Sequence, residues 1–369
     1  MQTNSDIDKI DVTEVCPKEW DIEQIDKELV KISYTFKGRG NQPKPIIIPK
    51  KIEIDEQLLA CVGMYLGDGK LSPDNYHLEY TSKDKDLSTF MLDFFRNRFF
   101  IKNYSFNYYY NAYSEESFKE WLFALQVSNE HVNKHQSDRH GHDCVSFQIG
   151  SKIFNLIFKS IINQVLQSRF SSNSILRMAF LRGVFAAEGS INYHHGEKYI
   201  VYVGFHLSYL KEQELAKLVM NLLEIEEIPA VLKQRSSRGE VYIQITNWQN
   251  YWKCYKMGLF DLCKRKKMHF LDCARKAKYH AFISDEFIKE VLDGTNQRQL
   301  SLATNIDTVT MCNSVRQKCF TLQNILKICK ARDISIEVLK AKIMKIRVGN
   351  HKWIEGGEFV DFALGFFLT

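Results

Sequence analysis

One short stretch occurs twice in this chain, and nothing else in the sequence constrains the fold as tightly. Residues 58–69 read LLACVGMYLGDG and residues 178–189 read MAFLRGVFAAEG. Overlaid, Gly63, Tyr65, Gly67, Asp68 and Gly69 match Gly183, Phe185, Ala187, Glu188 and Gly189. The two acids lie 120 positions apart, from 68 to 188, which is long enough for each copy to open its own subdomain. Each stretch is apolar and predicts about three helical turns. Gly63/Gly67 and Gly183/Ala187 are spaced i,i+4, so each helix carries a stripe almost free of side chain. Glycine inside a helix costs roughly 1 kcal/mol against alanine. Close backbone contact between the two helices would offset that cost, as small-xxx-small faces do.

Asp68 and Glu188 fall at the last helical position, with Gly69 and Gly189 expected as left-handed C-caps. A carboxylate there faces the negative end of the helix dipole. If the helices pack side by side, two carboxylates also converge, and they repel unless they share a proton or bind a cation. A divalent metal relieves both conflicts.

These paired stretches resemble the LAGLIDADG motifs of homing endonucleases, in the monomeric form that carries two motifs on one chain. VGMYLGDG and RGVFAAEG depart from the consensus letters but keep both acids and the glycines in register. The resemblance covers roughly residues 45–275. It implies an α+β fold of two pseudo-symmetric αββαββα subdomains forming a saddle of antiparallel sheets. It also implies magnesium or another divalent cation at Asp68 and Glu188 with their neighbours Gly67 and Ala187, and a long asymmetric double-stranded DNA target cut to short 3′ overhangs. Such enzymes are typically encoded within introns or inteins.

The rest of the chain can be divided around this repeat. Residues 1–50 are an N-terminal extension, 51–170 and 171–284 the two subdomains, and 285–369 a mainly helical C-terminal segment. Residues 20–33 are compatible with a helix or a mobile arm, and 37–55 with an extended lead-in to the first motif. The first half then reads as a hairpin turning at Ser72–Asn75, a helix over 84–100, a strand over 104–113, a helix over 114–126 opened by a capping box, a strand over 144–151 and a further helix. The second half repeats the order, with turns near His195-Gly196 and Ser236–Gly239 and a helical stretch from Asn247 onward. The spacing around Thr321–Ile343 can hold a helix-turn-helix, or equally a helical cap on the second half.

Composition adds boundaries. No apolar run reaches a membrane span, and the acidic start MQTNSDIDKID is unlike a targeting peptide. Nine cysteines without a CxxC pair suit reduced thiols, so an intracellular setting is expected, and the resemblance implies a monomer. Residues 1–30 hold nine acids against three lysines, which leaves a body more basic than the whole-chain charge of +6 and suited to a polyanion.

Further candidates follow. Lys83 and Lys211 occupy matching positions where a strand enters a helix; the resemblance implies cations that order water and neutralise developing charge there. Lys70, directly after Asp-Gly, is a nearby cation. DNA contacts are expected from His77, Asn107, Tyr109, Asn111 and Gln148 in the first half and from Lys198, Lys233, Gln234, Arg235 and Arg238 in the second. Lys264-Arg265-Lys266-Lys267 is expected to grip phosphates. His131, His135, His140, His142 and Cys144 permit a zinc site, with a solvated loop touching DNA the stronger expectation.

Two rivals remain. An intein would need a nucleophile at its start and an asparagine at its end; Met1-Gln2 and Phe367-Leu368-Thr369 favour a free-standing endonuclease. A transcription regulator or intron maturase of the same fold would bind nucleic acid without cutting it. No glycine-rich phosphate loop or nucleophile motif points to another enzyme class.

Overall fold

The computed structural model describes residues 9–35, 42–137, 142–194, 199–208, 212–235 and 239–368, with the backbone alone at 199 and 235. Its axis is a pair of helices, Glu56–Asp68 and Ser174–Glu188, which carry the repeated stretch. Asp55 caps the first by accepting from the Leu58 N–H, and Asn173 caps the second by accepting from Ile175 and Leu176.

The two helices approach through their glycines. A Cβ on Gly183 would lie 2.1 Å from the carbonyl oxygen of Ala60, and one on Gly63 would lie 2.5 Å from that of Phe180. No residue with a side chain fits at either place, so the small stripe is the contact. Leu58, Leu59, Val62, Phe180, Leu181 and Val184 bury the flanks.

Each helix runs into a sheet. In the first half five strands lie in the order Gly69–Leu71, His77–Ser82, Cys144–Gly150, Ser105–Tyr110 and Val132–Gln136. In the second, four antiparallel strands lie in the order Gly189–His194, Tyr199–Ser208, Glu240–Ile245 and Ala230–Arg235. Period-2 alternation sends Leu78, Tyr80, Phe106, Tyr108, Phe147 and Ile149 to one face, where Lys85–Phe99 and Lys152–Gln167 cover them with Phe94, Phe95, Phe99, Phe154 and Phe158. Leu207, Phe205, Val241, Ile243 and Ile245 do the same against Gln213–Ile225 in the second half.

Several local expectations change. Residues 20–33 form no helix: Asp21–Gln24 and Leu29–Ser33 are a hairpin that joins Ile46–Pro49, burying Val30, Ile32 and Ile48. Ser114 caps its helix by accepting from the Ser117 N–H alone, since serine at N3 cannot complete a capping box. The helical stretch after Asn247 is two helices, Trp248–Lys256 and Lys264–Lys276, broken where Gly258 takes a positive φ of 72°. The turn at His195-Gly196 lies outside the described residues.

The C-terminal segment is mainly helical, with six helices between Asp285 and Leu368 around a small sheet of Cys319–Thr321, Tyr279–Ile283, Ile343–Val348 and Ile354–Glu355. Within 321–343, helix Leu322–Ala331 packs on helix Gln297–Thr304 and on these strands, and Ile336–Lys342 packs on helix Gly357–Leu368 and strand Ile343–Val348. Among the described residues no helix is long and apolar enough to cross a membrane.

Candidate active site and nucleic-acid interface

The acids end where the helices meet. A Cβ on Gly67 would lie 2.7 Å from the Ala187 Cβ, 2.9 Å from Glu188 Cγ and 3.3 Å from its Oε1. Glu188 therefore folds its carboxylate across the end of the opposite helix, into a cradle that only glycine at 67 leaves open. Among the described residues neither Asp68 nor Glu188 has a hydrogen-bond partner or an ion pair within 4 Å. Burial, opposed by Lys266 and reinforced by Asp84 and Glu212, raises the Asp68 carboxyl to about 6. Burial, then Asp68 and Glu212, raises Glu188 to about 8. Two half-buried, unpartnered carboxylates are costly to a fold and suit hard-oxygen coordination of a cation.

Gly69 and Gly189 are not left-handed caps. Their φ/ψ values are −83°/151° and −73°/147°, because the chain passes straight from helix into strand. Glycine is required there for room: a Cβ at 69 would meet the Tyr65 ring at 2.2 Å, and one at 189 the Phe185 carbonyl at 2.3 Å.

Beside the acids lies a cavity of about 660 Å³, lined by Asp68, Lys83, Asp84, His142, Ala187, Arg265 and Lys266 among others. Lys83 stands exposed at its rim, between the strand His77–Ser82 and the helix Lys85–Phe99. Its counterpart Lys211 lies outside the described residues.

Lys266 departs most from the phosphate-gripping role expected of its cluster. It is buried, and its Nζ donates to the carbonyl oxygens of Phe185 (2.8 Å), Ala186 (2.7 Å) and Ala187 (3.0 Å). The ammonium thus satisfies the open carbonyls at the end of the second motif helix. Burial lowers its pKa to about 8. Arg265 forks onto Asp84, Nε to Oδ1 at 2.6 Å and Nη2 to Oδ2 at 2.9 Å, so it too is engaged within the protein. Burial raises the Asp84 carboxyl, but Arg265's hydrogen bonds and charge outweigh this and hold it below the usual range. Lys264 keeps an exposed side chain while its N–H donates to Asp86 (2.7 Å). In a run of four basic residues, which of them turns inward depends on helix phase against a distant segment, a signal absent from the local sequence.

The first sheet's uncovered face collects most of the expected contacts. Register places Lys70, Glu79, Gln148 and Ser105 in one row, and Thr81, Ser146, Asn107 and Asn133 in the next. His77 stands opposite Gly150, and Asn111 is exposed just past its strand. Tyr109 stacks on His135 with ring centroids 5.3 Å apart. The strand Val132–Gln136, unforeseen in the sequence, pairs in parallel with Ser105–Tyr110 and adds Asn133 and His135 to this face.

His135 therefore sits on a strand and His131 on a one-turn 3₁₀ segment, so they share no helix face for zinc. His135 Nε2 meets Asn107 Oδ1 at 3.1 Å, while His131 Nδ1 meets Ser128 Oγ at 2.6 Å. His140 lies outside the described residues. Among those described, no group of three or more His, Cys, Asp or Glu could hold a metal.

In the second sheet Lys233 is exposed and faces the row of Tyr242 and His206. Gln234 does not share that face; it aligns with the buried Val241 and Leu207, because neighbours on a strand alternate. Lys198 and Arg238 lie outside the described residues, as does the side chain of Arg235. His206 was not anticipated. It meets Ser190 Oγ at 2.7 Å and the Tyr242 ring at 4.4 Å, building a polar floor beside the second motif.

Sequence comparison meets this geometry. Residues 176–257 match the family model of the LAGLIDADG-like domain. No curated protein matches the chain significantly. Among solved structures, I-DmoI in complex with DNA and manganese is 14% identical, covers 56% of this chain and 97% of its own, and has a TM-score of 0.32. The N-terminal LAGLIDADG domain of DUF199/WhiA is 14% identical, covers 57% and 86%, and scores 0.32. Full-length DUF199/WhiA from Thermatoga maritima is 11% identical, covers 76% and 91%, and scores 0.35. With the match beginning inside the second motif helix, and a helix of the same glycine-and-acid pattern packed against it, residues 176–257 are assigned to the LAGLIDADG-like domain family.

Proposed function

We propose that the chain is a site-specific, metal-dependent double-strand DNA endonuclease, acting as a monomer on a long asymmetric target. The observation that carries this reading is the unpartnered carboxylate pair at the ends of the two packed helices. A structural acid at a helix end would be hydrogen-bonded or exposed; among the described residues these are neither. Asp68 and Glu188 are the oxygens that would hold magnesium, with the end carbonyls of the helices beside them. Bound there, the cation would lower the pKa of a coordinated water and stabilise charge on the leaving oxygen. Lys83, exposed on the cavity wall, would offset charge developing on the scissile phosphate. The uncovered faces of the two sheets would follow the duplex, with Lys70, His77, Asn107, Tyr109, Asn111 and Gln148 on one side and Lys233 on the other. Lys264 would add a phosphate contact, which carries no base information.

The test is incubation of purified protein with magnesium and a library of DNA targets, alongside Asp68→Asn and Glu188→Gln. Cleavage by the wild type that both variants lose while still binding is the expected result. Sequence-specific binding with no cutting by the wild type would overturn it in favour of a regulator or maturase.

A further inference from the structure

Two short helices of the C-terminal segment, Gln297–Thr304 and Thr308–Gln317, are joined by the three residues Asn305–Asp307. Asn296 and Gln299 form a capping box that starts the first helix, and Asn305 ends it at φ 49°, ψ 45°. Ile306 is buried, and Asp307 starts the second helix by accepting from the Thr310 N–H at 2.9 Å. The buried Ser301 hydroxyl donates to the Ile306 carbonyl at 2.6 Å and meets Thr308 Oγ1 at 2.9 Å, which pins one helix against the other. This pair lies upstream of 321–343, whose two helices pack on different neighbours. In the second helix only Met311 is buried. Val309, Thr310, Asn313, Arg316 and Gln317 are spaced i, i+1, i+4, i+7, i+8 and share one exposed face, with Val309 67% exposed at its start. A helix that only covered a core would bury an apolar stripe of that width; this one turns amide, hydroxyl and guanidinium groups outward around one apolar tip.

We propose that residues 297–317 are a helix-turn-helix that reads one flank of the DNA target in the major groove, outside the stretch that the two sheets follow. The second helix is the one that enters the groove, and the first crosses the backbone. Asn313 and Gln317 supply amides that pair with adenine edges, and Val309 an apolar contact for a thymine methyl. Arg316 donates to Asn313 Oδ1 at 3.0 Å and so orients that amide. Arg298, exposed in the first turn of the first helix, takes a phosphate. The packing of Phe362 on Trp252 and Tyr255 ties the segment to the second half, so the added contact falls on that half's side of the target. The inference rests on DNA binding by the sheets and not on cleavage.

Selection of bound duplexes from a randomised library by the full chain tests this without reference to activity. Wild-type targets should carry specified base pairs on one flank, beyond those whose preference falls in Asn107→Ala with Gln148→Ala. Asn313→Ala with Gln317→Ala, which changes exposed side chains only, should lose about tenfold discrimination at each flank position and keep the rest of the profile. Arg298→Ala should weaken binding to all targets alike and lower the salt slope by about 1. A target with no specified flank, or a flank profile unchanged in the folded Asn313→Ala with Gln317→Ala variant, would overturn the helix-turn-helix while leaving the reading by the sheets in place. No base preference anywhere in the library would sink both.

Discussion

The centre of this molecule is destabilised by its own acids, and that is measurable. Carboxyls raised to about 6 and about 8 bind protons more tightly in the folded chain than in the unfolded one, where values near 4 apply. Their contribution to stability is therefore complete below about pH 4 and is lost as pH rises through 6 and then 8. Lys266, lowered to about 8, titrates with Glu188 at the top of this range, so pH 5 to 7 is the part that reads chiefly the carboxylates. Without metal, Asp68→Asn and Glu188→Gln should raise Tm at pH 8, by about 1–2 kcal/mol of stability each, with a smaller gain at pH 5. Thermal unfolding at both pH values checks this; equal or lower Tm would mean the acids are structural. Lys83 makes the complementary case. It is exposed and bonds nothing among the described residues, so Lys83→Met should leave Tm unchanged while single-turnover cleavage falls about 10²-fold.

At the scale of elements, glycine contact is the strongest structural statement. Gly183→Ala would drive a Cβ into the Ala60 carbonyl, and because both neighbours are helix backbone neither can yield. A loss of about 3 kcal/mol, read as a lower urea midpoint with unchanged slope, is expected. This contact was legible in the sequence because i,i+4 glycine spacing has one good physical use. The paired motif helices and the order of strands and helices after each were legible too, since apolar period distinguishes helix from strand over ten residues or more. What was not legible depended on distant partners. Val132–Gln136 is polar and lacks alternation; it becomes a strand only because Ser105–Tyr110 offers it an open edge. Lys266 turned inward for the same kind of reason. That fifth strand makes the first sheet wider than the second by about 5 Å. Asn133→Ala with His135→Ala should accordingly relax base preference at the outer end of one half-site, by about 1–3 kcal/mol of discrimination, and leave the salt dependence of binding as it was. Selection of bound targets from a randomised library measures this; an unchanged profile would mean the strand serves only the fold.

The C-terminal segment is tied to the second half by a chain of packed rings that reaches the second motif helix. Phe362 of the last helix packs on Tyr255 at 5.2 Å, Tyr255 on Phe270 at 5.5 Å, Phe270 on Phe260 at 4.5 Å, and Phe260 on Phe185 of the second motif helix at 5.3 Å. Phe359 and Phe362 also close over Trp252, and Gln249 donates to the Trp353 carbonyl at 2.8 Å. Phe359, Val360, Ala363 and Leu364 are fully buried by this arrangement. A segment held only by exposed polar contacts could be removed at little cost, but this one supplies apolar cover that the second half does not otherwise possess. Phe359→Ala should cost about 3 kcal/mol. It should lower a single unfolding transition rather than split it, because the ring chain couples the segment to the motif helix. Removing residues 285–369 should leave the second half aggregation-prone, with binding of Mn²⁺ weakened even though no acid of the centre is touched. Differential scanning calorimetry of Phe359→Ala decides between coupling and independence: a separate low-temperature transition, with the main one unmoved, would show that the C-terminal segment unfolds by itself and that the centre does not depend on it.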